Sequence, residues 1–188
     1  MNKWNRILAQ KLNDSGRECA VPADPATPPQ CASDYPLPAG YEWHQTNFGV
    51  IYTKLYDDFY TADEARALCT ADASFLHMPI PTSKAMNNWY FNLIGTRSDR
   101  DVWLGINDSA REGHFVDDLG NELSYTNWFR GEPNNVNGGE DNVELILSGG
   151  KQENRKWNDQ HDNESTQNRG NWNHRNNNMA LCTVVIPC

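Results

Sequence analysis

GEPNNVNGGED, residues 131–141, followed downstream by Trp157-Asn158-Asp159, alternates carboxylates and carboxamides with almost nothing apolar between them. Glu132, Asn134, Glu140, Asn158 and Asp159 all present hard oxygen donors. Calcium takes about six to eight oxygens at about 2.3–2.6 Å in a flexible geometry, so an irregular loop of this chemistry reads as a Ca2+ site. The loop lies in a polar stretch, about 107–142, for which little regular structure is expected. A structureless stretch of that length inside a compact domain is usually functional. A bound metal is one of the few things that would order it.

The flanks of the loop read as a folded domain. Val102-Trp103-Leu104-Gly105-Ile106 is an apolar run that predicts a strand buried on both faces. Residues 48–59, FGVIYTKLYDDF, are rich in β-branched and aromatic side chains and predict another strand. Thr61-Ala62-Asp63-Glu64 is a capping box, and the helix it opens runs to about Asp72 with Ala65, Leu68 and Cys69 on one face. Pro81-Thr82-Ser83 starts a second helix, to about Ile94, whose apolar stripe of Met86, Trp89, Tyr90 and Leu93 reads as core packing. Short strands are expected at about 114–117, 143–147, 155–158 and 180–186. Residues 160–178, QHDNESTQNRGNWNHRNNN, are too polar to bury a core and read as an exposed insertion. Residues 1–36, punctuated by proline and carrying a short helix at 3–12, read as an N-terminal extension; the compact domain is 37–188.

Composition narrows the class of function. The net charge of −9 argues against nucleic acid, which is bound by neutralising phosphates with Lys and Arg. No apolar run approaches the eighteen or so residues of a membrane span. The first sixteen residues lack the apolar core of a signal peptide. Five cysteines and sequons at Asn13, Asn107 and Asn163 nevertheless fit a secreted glycoprotein whose leader is missing from this chain. A cytosolic protein with reduced thiols is the alternative. Asn107 adjoins Asp108, so Asn163 is the favoured glycosylation site. The five histidines show no zinc spacing. No Ser or Cys sits in a nucleophile-elbow context. Carboxylates held by a metal stay ionised and would not serve as general acids, so no enzyme is expected.

VWLGIND (102–108), ARALC (65–69), the GEPNNVNGGED loop with WND (157–159), and LCTVVIPC (181–188) occur in this order at sensible gaps. Together they resemble the C-type lectin-like domain, over about residues 37–186. The resemblance implies an α+β fold of two helices beside two small antiparallel sheets, with adjacent termini and a long calcium-binding loop region. It implies a principal Ca2+ site made by Glu132, Asn134, Glu140, Asn158 and Asp159. An auxiliary site would use Asp108, Glu112, Asn135, Glu140 and Asp141. Trp172-Asn173-His174 is a second WN pair, but His174 suits calcium poorly, so Trp157-Asn158-Asp159 is taken as the motif.

Sugar binding follows chemically from such a set. A vicinal diol can replace two waters on the ion, while the remaining hydroxyl lone pairs and protons meet carboxamides and carboxylates. Glu132 with Asn134 would serve one hydroxyl and Glu140 with Asn158 the other, beside a small apolar contact from Val136. Resemblance implies that Glu-Pro-Asn selects equatorial hydroxyls, as in mannose, N-acetylglucosamine or fucose, where galactose-binding members carry Gln-Pro-Asp. It also implies a cis Pro133 in the calcium-bound state.

The chain departs from the family in its cysteines. Asn142 and His161 stand where the inner disulfide is usual, so loop order is expected to depend on the metal. Leu37 and about Val50 stand where the N-terminal hairpin usually carries two cysteines. The resemblance retains Cys69–Cys182. Cys31–Cys188 is the first choice for a second bridge, with Cys19–Cys31 as its rival. Cys19 would then be free or would join two copies as a homo-oligomer. The expected function is a secreted calcium-dependent lectin; the alternative is a calcium-stabilised matrix or mineral-associated protein of the same fold.

Overall fold

A computed structural model describes residues 37–95, 100–147, 155–161 and 178–186. Its strands are β1 (Glu42–Thr46), β2 (Gly49–Tyr60), β3 (Val102–Asn107), β4 (Val116–Asp117), β5 (Asn142–Leu145), β6 (Trp157–Gln160) and β7 (Asn178–Ile186). Its helices are α1 (Ala62–Asp72) and α2 (Lys84–Gly95). The N-terminal extension with its helix, Cys19, Cys31 and Cys188, the sequons at Asn13 and Asn163, the Trp172 motif and nearly all of the Asn-rich insertion lie outside the described residues.

Two long apolar strands organise the α+β architecture. β7 pairs antiparallel with β2, from Val50↔Ile186 to Tyr56↔Ala180. It also meets β3 in parallel at Val102↔Met179, which joins the two antiparallel groups into one sheet of order β1-β2-β7-β3-β5-β6. β4 pairs with β3 off this path. Strands covered on both faces read as continuous apolar runs rather than alternating ones, which is the pattern of both β3 and β7. Ala180, Cys182, Val184 and Ile186 pack on the α1 side with Trp103. Met179 and Leu181 face the α2 side with Val102, Leu104, Ile106 and Trp157. One strand therefore serves two cores through its two-residue period.

Local chemistry explains the elements. Thr61 caps α1: its hydroxyl accepts from the Glu64 amide and the Glu64 carboxylate accepts from the Thr61 amide, the reciprocal pair read from the sequence. Gly105 inside β3 is required by close approach, since a Cβ there would lie 2.9 Å from the Met78 carbonyl oxygen. Cys69 on α1 and Cys182 on β7 form the disulfide, with Cα atoms 5.0 Å apart.

Two features differ from the sequence reading. β1, EWHQT, was not anticipated, because an edge strand with one partner shows no clean alternation; its burial is only partial. The buried face of α2 consists of Met86, Asn87, Tyr90 and Ile94, whereas Trp89 and Leu93 are half-buried. Asn87 is fully buried. It donates to the Arg155 carbonyl at 2.9 Å and accepts from the Trp157 indole N–H at 2.6 Å. A polar residue on a helix's buried face is invisible to an apolar-stripe argument, because its partners are 68 and 70 residues away.

Replacing Asn87 by Leu should cost about 1–3 kcal/mol, because the Trp157 N–H and the Arg155 carbonyl lose their partner in a buried site. Urea unfolding at constant m-value would measure it; an unchanged midpoint would refute the role. The Cys69–Cys182 bridge spans 113 residues. Replacing both cysteines with Ser should lower stability by about 4–5 kcal/mol in the chain-entropy model, read by the same titration.

Candidate functional site

The 131–141 loop is held against β6. Trp157 donates its backbone N–H to the Asn127 carbonyl at 3.0 Å and accepts from the Phe129 amide at 2.8 Å. The chain then turns at Gly131 and passes through a cis Glu132–Pro133 peptide. Beyond the proline, the amides of Asn134 and Asn135 point at the Asp159 carboxylate, at 3.0 and 2.8 Å. Asp159 is 1% exposed, and these amides provide the hydrogen bonds that a buried carboxylate needs.

The loop folds back on itself through its own carboxamides and carboxylates. Asn135 Oδ1 accepts from the amides of Gly139 and Glu140, at 2.6 and 3.1 Å. The Val136 amide donates to Glu140 Oε2 at 2.6 Å and to Asn134 Oδ1 at 3.0 Å. Asn135, Asn137, Gly138 and Gly139 all adopt positive φ, a region that Gly and, among other residues, Asn tolerate best. The composition of the loop thus has a conformational reason as well as a chemical one. Val136 is left 48% exposed at the surface.

Glu132, Glu140 and Asp159 crowd together. Burial pushes the Glu132 carboxyl up to about 7, with further contributions from Asp159 and Glu140. Glu140 is raised by burial first and then by Asp159, against the pull of the Val136 amide. A second acidic group lies at the loop's base. The Asp108 amide donates to the Asp141 carbonyl at 3.1 Å, and Asp108 Oδ2 accepts from the Gly113 amide at 2.7 Å. Burial raises Asp108, and the charges of Glu112 and Asp141 add to it against the Gly113 bond.

Asn158 takes a different direction. Period-two alternation on β6 sends Trp157 and Asp159 to one face and Asn158 to the other. Its Nδ2 donates to Glu144 Oε1 at 2.9 Å, and Asn178 donates to Glu144 Oε2 at 2.5 Å. Burial, followed by the nearby Asp101, pushes Glu144 up to about 7 despite these two carboxamides. Sequence reasoning missed Glu144 and Asn178. A Glu inside the apolar strand run VELIL was the available signal.

The donor set fits calcium in chemistry. Four buried side-chain oxygens lack a partner among the described residues: Asp108 Oδ1, Asp118 Oδ2, Tyr125 OH and Glu132 Oε2. Two of them, on Glu132 and Asp108, belong to the principal and auxiliary candidate sets. An unpaired buried carboxylate oxygen is costly, and a cation is the partner that would suit both. No three His, Cys, Asp or Glu side chains among the described residues already stand at metal-binding spacing. Asn134, Asn135 and Glu140 are instead engaged by the loop's own amides.

A family model described as the lectin C-type domain matches residues 59–169, more than half of the chain. The chain belongs to the C-type lectin domain family. Solved structures share the lectin fold. The C-type lectin CEL-I from Cucumaria echinata superposes with a TM-score of 0.62 at 19% identity, covering 79% of this chain and 97% of CEL-I. Human lithostathine gives 0.60 at 21% identity, over 79% and 98%. A calcium-independent type II antifreeze protein gives 0.57 at 17% identity, over 79% and 93%. At these identities the likeness establishes the lectin-domain fold; ligand choice rests on the site itself.

Crowded acids set a pH dependence. Glu132 and Glu144 have folded pKa values of about 7, above the ordinary 4.5. Between those values the folded state keeps protons that the unfolded state has released, so in calcium-free buffer their contribution to stability rises as pH falls from about 7 to about 4.5. Glu132→Gln and Glu144→Gln should each reduce the rise in thermal midpoint between pH 7.5 and pH 5 relative to the unmodified protein. Parallel profiles for all three would contradict the assignment.

Proposed function

We propose that this C-type lectin domain is a secreted, calcium-dependent carbohydrate-binding module without catalytic activity. The observation that carries the reading is the pair of buried carboxylate oxygens that meet no N–H donor, Asp108 Oδ1 and Glu132 Oε2, one in each candidate calcium set, with the Glu132 carboxyl set against that of Asp159. Glu132, Asn134, Glu140 and Asp159 would hold the principal ion, joined by Asn158 once its carboxamide turns from Glu144, and Asp108, Glu112, Asn135, Glu140 and Asp141 would hold the auxiliary one. Bound there, calcium supplies open coordination positions that a vicinal diol can fill.

The chain's own residues would do the rest. Asn134, and Asn158 once released from Glu144, would donate amide hydrogens to the sugar hydroxyls, and Glu132 and Glu140 would accept hydroxyl protons. This distribution leaves no sugar hydroxyl desolvated without a partner. Exposed Val136 offers a small apolar contact at the rim. The Glu132-Pro133-Asn134 order favours mannose, N-acetylglucosamine or fucose by the family resemblance. A single shallow site of this kind binds a monosaccharide in the millimolar range, about −4 kcal/mol. Effective capture of glycans then comes from linking several sites, for which Cys19 is a candidate cross-link.

A second reading, a calcium-stabilised structural protein of the same fold, draws support from the loop's internal bonds. Asn134 Oδ1 and Glu140 Oε2 already satisfy the Val136 amide. Retention on mannan-agarose discriminates the two. The lectin reading expects retention in calcium and release by EGTA, with retention lost in the Glu132→Gln, Asn134→Asp double variant. No retention in calcium, or retention indifferent to EGTA, would overturn it.

A further inference from the structure

We propose that His161 is a positioning residue that latches the Asn134–Glu140 segment to the end of β6. The inference rests on the lectin reading for its consequence, because that segment carries three of the proposed calcium ligands, Asn134, Asn135 and Glu140. Its geometry stands independently. His161 follows directly after β6, and its Nε2 lies 3.0 Å from the Val136 carbonyl oxygen. A carbonyl only accepts, so Nε2 carries the proton. The other side of the same residue is gripped as well, the Val136 amide donating to Glu140 and Asn134.

The other bonds on this tip come from the loop's own side chains and from Asp159 beneath Asn134 and Asn135. The Val136 side chain is 48% exposed and gives no apolar anchor. Four of the residues from Asn135 to Gly139 sit at positive φ, two of them the non-glycines Asn135 and Asn137, for which the conformation is tolerated rather than preferred. The imidazole also lies flush against the loop, 3.4 Å from where a Cβ on Gly139 would stand. His161 occupies a position where the family resemblance calls for a cysteine, and Asn142, the other such position, is tied to α1 by Arg66 at 3.2 Å. With no bond between those two positions, Asn142 fastens the strand to the helix and His161 fastens the loop to the strand. Preset positions for Asn134 and Glu140 leave less conformational freedom to be lost when an ion binds.

The test compares the full chain with His161→Phe, which keeps a ring against Gly139 but removes the donor, and His161→Gln, which keeps a donor. Hydrogen exchange of residues 134–140 in EGTA is read first, and calcium affinity by titration calorimetry second. The Phe variant should exchange about fivefold faster in that segment and bind calcium about fivefold more weakly, the scale of one net hydrogen bond. Its thermal midpoint in EGTA should stay unchanged, and the Gln variant should match the unmodified protein in both measurements. Exchange in the Phe variant equal to the unmodified protein would overturn the latch, as would a Gln variant that behaves like Phe. If the unmodified protein takes up no calcium, the lectin reading falls, and the exchange in EGTA still decides the latch.

Discussion

The buried indole of Trp157 is the contact on which the functional half of the molecule depends. Its N–H is taken by Asn87 on α2, its backbone is bonded to Asn127 and Phe129, and its ring meets Tyr125 and Trp128 edge-on. One residue therefore joins a helix, an aromatic cluster and the entrance to an irregular loop. Two residues later, Asp159 receives the amides of that loop. An irregular segment cannot satisfy its own backbone as a helix does. Its order is borrowed from β6, and β6 is held in place by Trp157.

The same arrangement concentrates negative charge. Placing Asp159 under the loop brings Glu132 and Glu140 beside it, and burial together with like charge raises both of those carboxyls. Such crowding is unfavourable in a protein designed only for stability. Sites that violate local electrostatic economy are commonly functional, and a divalent cation would add to each of these three carboxylates an attraction that outweighs their mutual repulsion. The fold leaves that choice open, since similar structures include a C-type lectin and an antifreeze protein described as calcium-independent. The residues of the loop, rather than the architecture, carry the functional reading.

Much of the frame was legible before any coordinates. The Thr61–Glu64 capping box, the apolar run at 102–106 and the strand at 48–59 are local signals, and each appears within a residue or two of its expected place. The oxygen donors of the loop were legible for the same reason, because their chemistry and spacing lie in one contiguous stretch. What escaped were residues whose meaning comes from distant partners. Asn87 reads as a defect in an apolar stripe until Trp157 is placed beside it. Glu144 is only a charge inside an apolar strand run until Asn158 and Asn178 close on it.

By itself the sequence determined the two helices, the long strands and the acidic, carboxamide-rich loop through periodicity, capping and composition, and the family resemblance implied the pairing of Cys69 with Cys182. Only the tertiary structure decided which donors meet. It turned Asn158 toward Glu144 while gathering Glu132, Glu140 and Asp159, and it set His161 against Val136. Those outcomes depend on strand register and on which face of β6 each residue occupies. A one-residue shift in register would exchange the faces, and register is fixed by packing across the sheet rather than by any local pattern in the chain.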